Sequence, residues 1–242
     1  MASSENSQVG SDYYIISRKY YLDWFLEYTE QILPKLTKSM PIKKAGEICA
    51  EARIKFEKIL PGLPYLGGDQ NEATKWIVLA AGWVSFYHPL KARGPKVGEI
   101  GRVLYNNYVE QLAKTPESEY QQKGEKRFSE SYLSGMKAWT ERSEKLFEKD
   151  FVIKFVDGVD LEFDYGLDYH FCPCKELFKE QNAAELAPYF CQVDFPEHKL
   201  MGTGLVRKKT LAQGDDICDF RFKKGREVVQ NWSTEVPKFQ PK

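Results

Sequence analysis

The sequence carries no excess of either charge: 35 Lys and Arg are balanced by 35 Asp and Glu in 242 residues. A chain without net charge has no global field to draw it to nucleic acid or to an anionic membrane, and neither is expected as a partner. Long apolar runs are missing as well. The longest, Trp76 to Tyr87, contains Gly82 and ends at His88-Pro89, far short of the ~20 apolar residues a bilayer span needs. The opening Met1-Ala2-Ser3-Ser4-Glu5-Asn6 has no apolar signal core and reads as a disordered leader over residues 1–12. The expectation is a cytosolic protein with reduced cysteines and no disulfide framework. There is no internal repeat, heptad array or low-complexity tract, and the GxxxxGK[ST] spacing of a phosphate loop is missing.

What is present fits a globular chain, with 42% apolar and 29% charged residues. The length suits one large domain or two small ones and can bury a core without metal or disulfides. Aromatics reach 14%, enough for a large aromatic core or for a pocket that takes a flat or apolar small molecule. Tyr21, Trp24, Phe25, Tyr28 and Ile32 recur at helical steps until Pro34, and Lys43 to Ile59 continues the pattern with Ile48, Ala52 and Phe56 in one stripe. Cys49, beside that stripe, reads as a small buried hydrophobe. Glu72 to Tyr87 is apolar on most sides and should be a central helix, capped by Asp69 or Asn71. Lys96 to Leu112 gives another helix. Glu117 to Lys149 reads as a long charged helix with Phe128, Tyr132, Met136 and Trp139 inward.

Near Asp150 the periodicity changes from helical to alternating. Phe151 to Val156 is expected as a strand, Asp157-Gly158 as a hairpin turn, and Leu161 to Cys172 as a second strand. In that strand Tyr165, Leu167 and Tyr169 face one way, and Asp168, His170 and Cys172 the other. Short helices follow at Cys174 to Gln181 and Ala183 to Phe190. Leu205 to Ala212 and Ile217 to Lys223 complete the strands. The expected class is α+β: a helical region at 13–149 packed on a C-terminal antiparallel sheet region at 150–226, with 13–226 as one compact unit and a tail at 227–242.

Four of the five cysteines lie in the last third, near acids or a histidine. A thiol so placed can be a nucleophile, a metal ligand or a packed side chain. Structural zinc usually wants a CxxC-type pair; Cys172-Pro173-Cys174 is one residue short, so no metal is expected. For catalysis, Cys191 stands three residues before Asp194, Cys218 shares a strand face with Phe220 and Phe222, and His170 is a candidate base. His88 and His198 add little, the first a structural group at a helix end and the second an exposed loop residue. Arg207 and Arg221, on expected strands, could clamp a carboxylate or be solvated. The loop Leu60 to Asn71 could present backbone N–H groups to an anion.

Several segments together resemble the L-2-amino-thiazoline-4-carboxylic acid hydrolase family. They are Leu63-Pro64-Tyr65-Leu66-Gly67-Gly68 with Asn71, Leu90-Lys91-Ala92-Arg93-Gly94, Cys174, Phe190-Cys191-Gln192-Val193-Asp194, and Thr210-Leu211-Ala212-Gln213-Gly214 leading to Cys218-Asp219-Phe220-Arg221-Phe222. The likeness runs from about residue 13 to 223. It implies an enzyme that adds water to a cyclic amidine and opens the ring, with Cys174, Cys191, Asp194 and Cys218 at the matching catalytic positions. His170 is a local addition to that set. Tyr65, Gly67, Gly68, Asn71 and Arg221 are the expected substrate contacts, the substrate is a small molecule, and no cofactor is expected. The apolar helices could support a homodimer. A cyclase or isomerase using an aromatic pocket, and a ligand-binding sensor, are the competing readings.

Overall fold

The computed structural model describes residues 12–142, 149–228 and 230, so nearly all of the expected leader and tail, and part of the charged run before Lys149, lie outside the described residues. The chain is α+β, with helices first and a three-stranded antiparallel sheet near the C-terminus. Packing divides it into two compact units, and neither follows the change of periodicity at residue 150. Among the described residues, the first unit holds 12–107, 149–150 and 173–190, and the second holds 108–142, 151–172 and 191–228 with 230. Contacts between residues far apart in sequence decide this division, and local periodicity does not report them.

The first unit is helical. Helices α1 (Arg18–Leu36), α2 (Ile42–Ile59) and α3 (Ala73–Lys91) pack in succession, and α4 (Val97–Leu112) starts in this unit and ends in the other. Tyr21, Phe25, Tyr28 and Ile32 form the buried stripe of α1, with Phe25 stacked on Phe56 of α2 at 4.1 Å between ring centroids. Pro34 does not end α1, because Thr37 N–H still reaches Leu33 O and only the last turn follows. Pro89 is likewise inside α3, which runs past the expected end at Tyr87. Almost every residue of α3 is buried, as its sequence requires. Asn71 opens it by accepting Ala73 N–H at 2.9 Å. The short helices α7 (Pro173–Glu180) and α8 (Ala187–Phe190) return to this unit, α7 against α3.

In the second unit the expected long charged helix is two. Helix α5 (Glu117–Lys126) stops, and Ser129 starts α6 (Glu130–Thr140) by accepting Tyr132 N–H. Tyr132, Leu133, Met136 and Trp139 of α6 pack on the sheet. Strands β1 (Val152–Val159), β2 (Phe163–Phe171) and β3 (Cys218–Phe222) lie in that order, all antiparallel. Leu167 faces Phe155 on one side and Phe220 on the other, and Tyr169 faces Cys218. Since directly opposed residues share a face, Ile153, Tyr165, Leu167, Cys218, Phe220 and Phe222 form one buried layer.

Three local expectations fail for identifiable reasons. The hairpin turns at Asp160 (φ 36°), with Glu162 N–H on Val159 O. Gly158 is inside β1, where a Cβ would come 2.3 Å from Asp164 O, so its glycine serves close approach and not a turn. Leu205 to Ala212 is not a strand; only Val206 bridges, to Arg221. Beyond it the amides of Lys208 and Lys209 go to the Asp219 carboxylate and that of Thr210 to Asp215, which draws them away from a strand ladder. His198 is buried on α9 (Asp194–Met201) at hydrogen-bond distance from Thr203, not in an exposed loop.

Helices α5 and α9 meet at Gly124, where a Cβ would fall 1.8 Å from Met201 O. Gly124→Ala should therefore destabilise the protein by about 1–3 kcal/mol in urea unfolding. Gly135→Ala, on exposed α6 with nothing within 4 Å, should stabilise it by about 0.5–1 kcal/mol.

Candidate functional site

In the second unit thiol and charged side chains gather around the turn that leads into α9 and the start of β3. Cys191 opens a single 3-10 turn, Cys191–Val193, that runs directly into α9, so Asp194 is the first residue of that helix. Asp194 is three-quarters buried and its Oδ2 accepts Arg207 Nη1 at 2.6 Å. The other arm of the same guanidinium, Nη2, donates to Cys191 O at 2.9 Å. Only 1% of the Arg207 side chain is exposed. Its guanidinium lies over Phe195 at 4.9 Å and over Phe220 at 5.2 Å. An arginine inside a protein needs an anion and hydrogen-bond acceptors, and flat faces suit it; here it has all three.

Cys218 starts β3 on the buried face, and Leu211 N–H donates to its Sγ at 3.2 Å. Burial pushes the Cys218 thiol up to about 12, against the opposing pull of the Leu211 amide and Arg207 and with help from Cys172 and Asp194. Cys191 is only half-buried as a residue, yet the surrounding protein pushes its thiol well above the ordinary range. Arg207 opposes this, while Cys218, Cys172 and Asp194 add to it. Cys191 feels Cys218, and both thiols feel Cys172, Asp194 and Arg207, so they share one environment. Tyr169, opposite Cys218, and Tyr108, whose hydroxyl donates to Glu197 Oε2 at 3.1 Å, are raised chiefly by burial, and both also feel the Asp194 charge.

The sequence expectations separate against this geometry. Cys191, Asp194 and Cys218 come together. Cys172 joins them, although alternation had placed it with His170; β2 ends at Phe171, so the alternation no longer governs Cys172. His170 is exposed, on the face of β2 opposite Tyr169 and hence opposite Cys218. Arg221 is occupied by Asp168 Oδ1 at 2.7 Å and by Phe220 O. Arg207, for which the sequence left a carboxylate clamp and a solvated side chain both open, is buried and paired with Asp194. Its signal was the apolar setting Leu205-Val206 before it, which is unusual for a solvated arginine.

The remaining expected contacts belong to the first unit. Cys174 is buried on α7, where it adds to the upward push on the Tyr14 hydroxyl. Gly67 and Gly68 are left-handed (φ 99° and 59°), and the Tyr13 ring packs where a Gly68 side chain would be. Tyr65 lies beside Tyr13. Asn71 is committed at both ends, to Ala73 N–H and to Asp150. Among the described residues no group of three His, Cys, Asp or Glu side chains is arranged to hold a metal ion, and no helix is long and apolar enough to cross a membrane. All five cysteines are free thiols. A groove of about 470 Å³ opens elsewhere in the second unit, lined by Phe128, Leu133, Lys137, Phe155, Asp157 and Asp164; it includes none of the expected residues.

Comparison with known proteins gives a family. Residues 77–222 match the L-2-amino-thiazoline-4-carboxylic acid hydrolase family. The match covers more than half of the chain, and the chain belongs to that family, which is named for a hydrolase. The match spans Cys174, Cys191, Asp194, Arg207 and Cys218 and leaves out the Leu63 to Asn71 loop, so it is narrower than the resemblance over 13–223. No curated protein and no solved structure matches the chain.

The raised thiols have a measurable consequence. At pH 7.5 Cys218 should hold roughly a thousandfold less thiolate than an ordinary thiol near pKa 8.5–9, and iodoacetamide should label it correspondingly slowly. The folded chain keeps a proton on Cys218 that the unfolded chain releases. That contribution to stability is complete below about pH 8.5 and lost as pH rises towards about 12. Urea midpoints at pH 8 and 10 should show a smaller drop in Cys218→Ala than in the parent.

Proposed function

We propose that the chain is a hydrolase that opens a small cyclic amidine by adding water at the amidine carbon, using the Asp194 carboxylate in the cluster of Arg207, Cys191 and Cys218. The observation that carries this is the anchored carboxylate: Asp194 is held through Oδ2 by a buried arginine and stands at the start of α9, three residues from Cys191. A cyclic amidine protonated on its ring nitrogen is a flat cation with an electrophilic carbon. A fixed carboxylate pairs with that charge and keeps the nitrogen protonated, which raises the electrophilicity of the carbon. Water then adds its oxygen to the carbon and gives up its protons as the carbon–sulfur bond breaks. One proton ends on the departing ring sulfur and the other passes through Asp194 to solvent, which discharges the cation. For a 2-aminothiazoline-4-carboxylate the product is an N-carbamoyl cysteine.

The two thiols are read as neutral at rest. Burial holds them protonated, so at neutral pH they offer a polarisable wall beside the ring and little standing nucleophile. The aromatic groups Tyr108, Tyr169, Phe195 and Phe220 suit a flat substrate. The same aromatic setting supports a second reading, in which a substrate is folded for cyclisation or isomerisation without hydrolysis.

With 2-aminothiazoline-4-carboxylate in heavy-oxygen water, one label should enter the carbamoyl group; turnover without label would favour the cyclase or isomerase reading. Asp194→Asn should lower kcat by at least about a hundredfold. Cys191→Ala and Cys218→Ala should each cost about tenfold or less. A loss from either alanine variant as large as that from Asp194→Asn would instead assign attack to the sulfur.

A further inference from the structure

Arg207 is a buried cation whose two arms end on two different parts of the candidate site. Nη1 reaches the Asp194 carboxylate and Nη2 the Cys191 carbonyl, at 2.6 Å and 2.9 Å. The flat group is slotted between Phe195, from α9, and Phe220, from β3. Residue 207 itself is tied to β3 by its neighbour Val206, which exchanges backbone hydrogen bonds with Arg221. One side chain therefore connects the strand that carries Cys218 with the turn that carries Cys191 and the helix that starts with Asp194.

We infer that Arg207 is the positioning residue of this site, fixing the Asp194 carboxylate and the Cys191 turn relative to the Cys218 strand through the fork of its guanidinium and not through its charge alone. The inference rests on the reading of Asp194 as the working carboxylate. A lysine at 207 would keep the positive charge. It would not span both acceptors in fixed directions, and it has no planar group to fill the slot between the rings. A displacement of the reacting groups by about 1 Å is enough to cost on the order of a hundredfold in rate.

Arg207→Lys, Asp194→Asn and the double variant would be compared on 2-aminothiazoline-4-carboxylate, alongside alkylation of each cysteine read by mass spectrometry. Arg207→Lys is expected to lower kcat by tenfold to about a hundredfold with KM within about threefold. In the Asp194→Asn background it should cost no more than about twofold, since it acts through that carboxylate. Freed of its carbonyl contact, Cys191 should alkylate at least about tenfold faster in Arg207→Lys, while Cys49 and Cys174, buried in the first unit, keep their rates. Those two thiols report general loosening, so a parallel rise in all of them would overturn the positioning role, as would an unchanged Cys191 rate. Full activity in Arg207→Lys with a crippled Asp194→Asn would overturn the role of Arg207 and leave that of Asp194 standing. Full activity in Asp194→Asn would overturn the reading of the carboxylate itself. Alkylation is independent of turnover and decides the positioning role even if this particular amidine is not hydrolysed.

Discussion

A guanidinium that is 1% exposed cannot shed its charge, so the protein around it must supply what water would have given. In the second unit that demand falls on Arg207. Meeting it brings a carboxylate from the first turn of α9, a carbonyl from the turn before it and two aromatic faces from α9 and β3. Removing one partner of such a pair leaves a buried charge uncompensated, typically a loss of about 3–5 kcal/mol. The ion pair therefore fixes where the Cys191 turn and the Cys218 strand stand relative to each other. The sheet layer of Tyr165, Leu167, Phe220 and Phe222 gives that arrangement a rigid floor.

The electrostatics of the cluster are consistent with this division of labour. Desolvation is the largest influence on both Cys191 and Cys218 and keeps them neutral, and Arg207 only partly offsets it. The one residue of the group with both a full negative charge and appreciable exposure is Asp194, at 24% of its side chain. A cationic heterocycle entering such a place would meet an anion first and sulfur second. That order of encounter suits a substrate whose reactive form is positively charged.

Much of this was legible in the sequence because it is periodic. The stripes of α1 and α2, the apolar α3, the alternation of β2 and the shared face of Cys218, Phe220 and Phe222 follow from spacings of 3.6 and 2 residues. The features that were not legible depend on partners remote in sequence or on side chains competing with the backbone. The carboxylates of Asp215 and Asp219 take the amides that would have extended a strand through Lys208 to Thr210. His198 looked exposed because its neighbours are Glu197 and Lys199; Thr203 and the Phe222 ring are what bury it. Cys191 and Asp194 stand out by their motif, whereas Arg207 reads equally as a carboxylate clamp or a solvated side chain, because a single arginine in a strand-like segment says nothing by itself about burial. Cys174 belongs to the first unit because α7 packs against α3, a contact spanning some eighty residues of chain.

That last contact also bears on how the protein is made. Helix α3 is apolar nearly all round, and the residues that cover one of its sides, in α7, are translated long after it. At about 5–20 residues per second, the interval between Lys91 and Pro173 lasts roughly 4–16 s. During that time the segment that becomes α3 lacks the residues that cover this side of it in the folded protein. A factor that shelters apolar segments at the ribosome would have its use here, early in the life of the polypeptide and before the thiol-bearing turn at Cys191 has been synthesised.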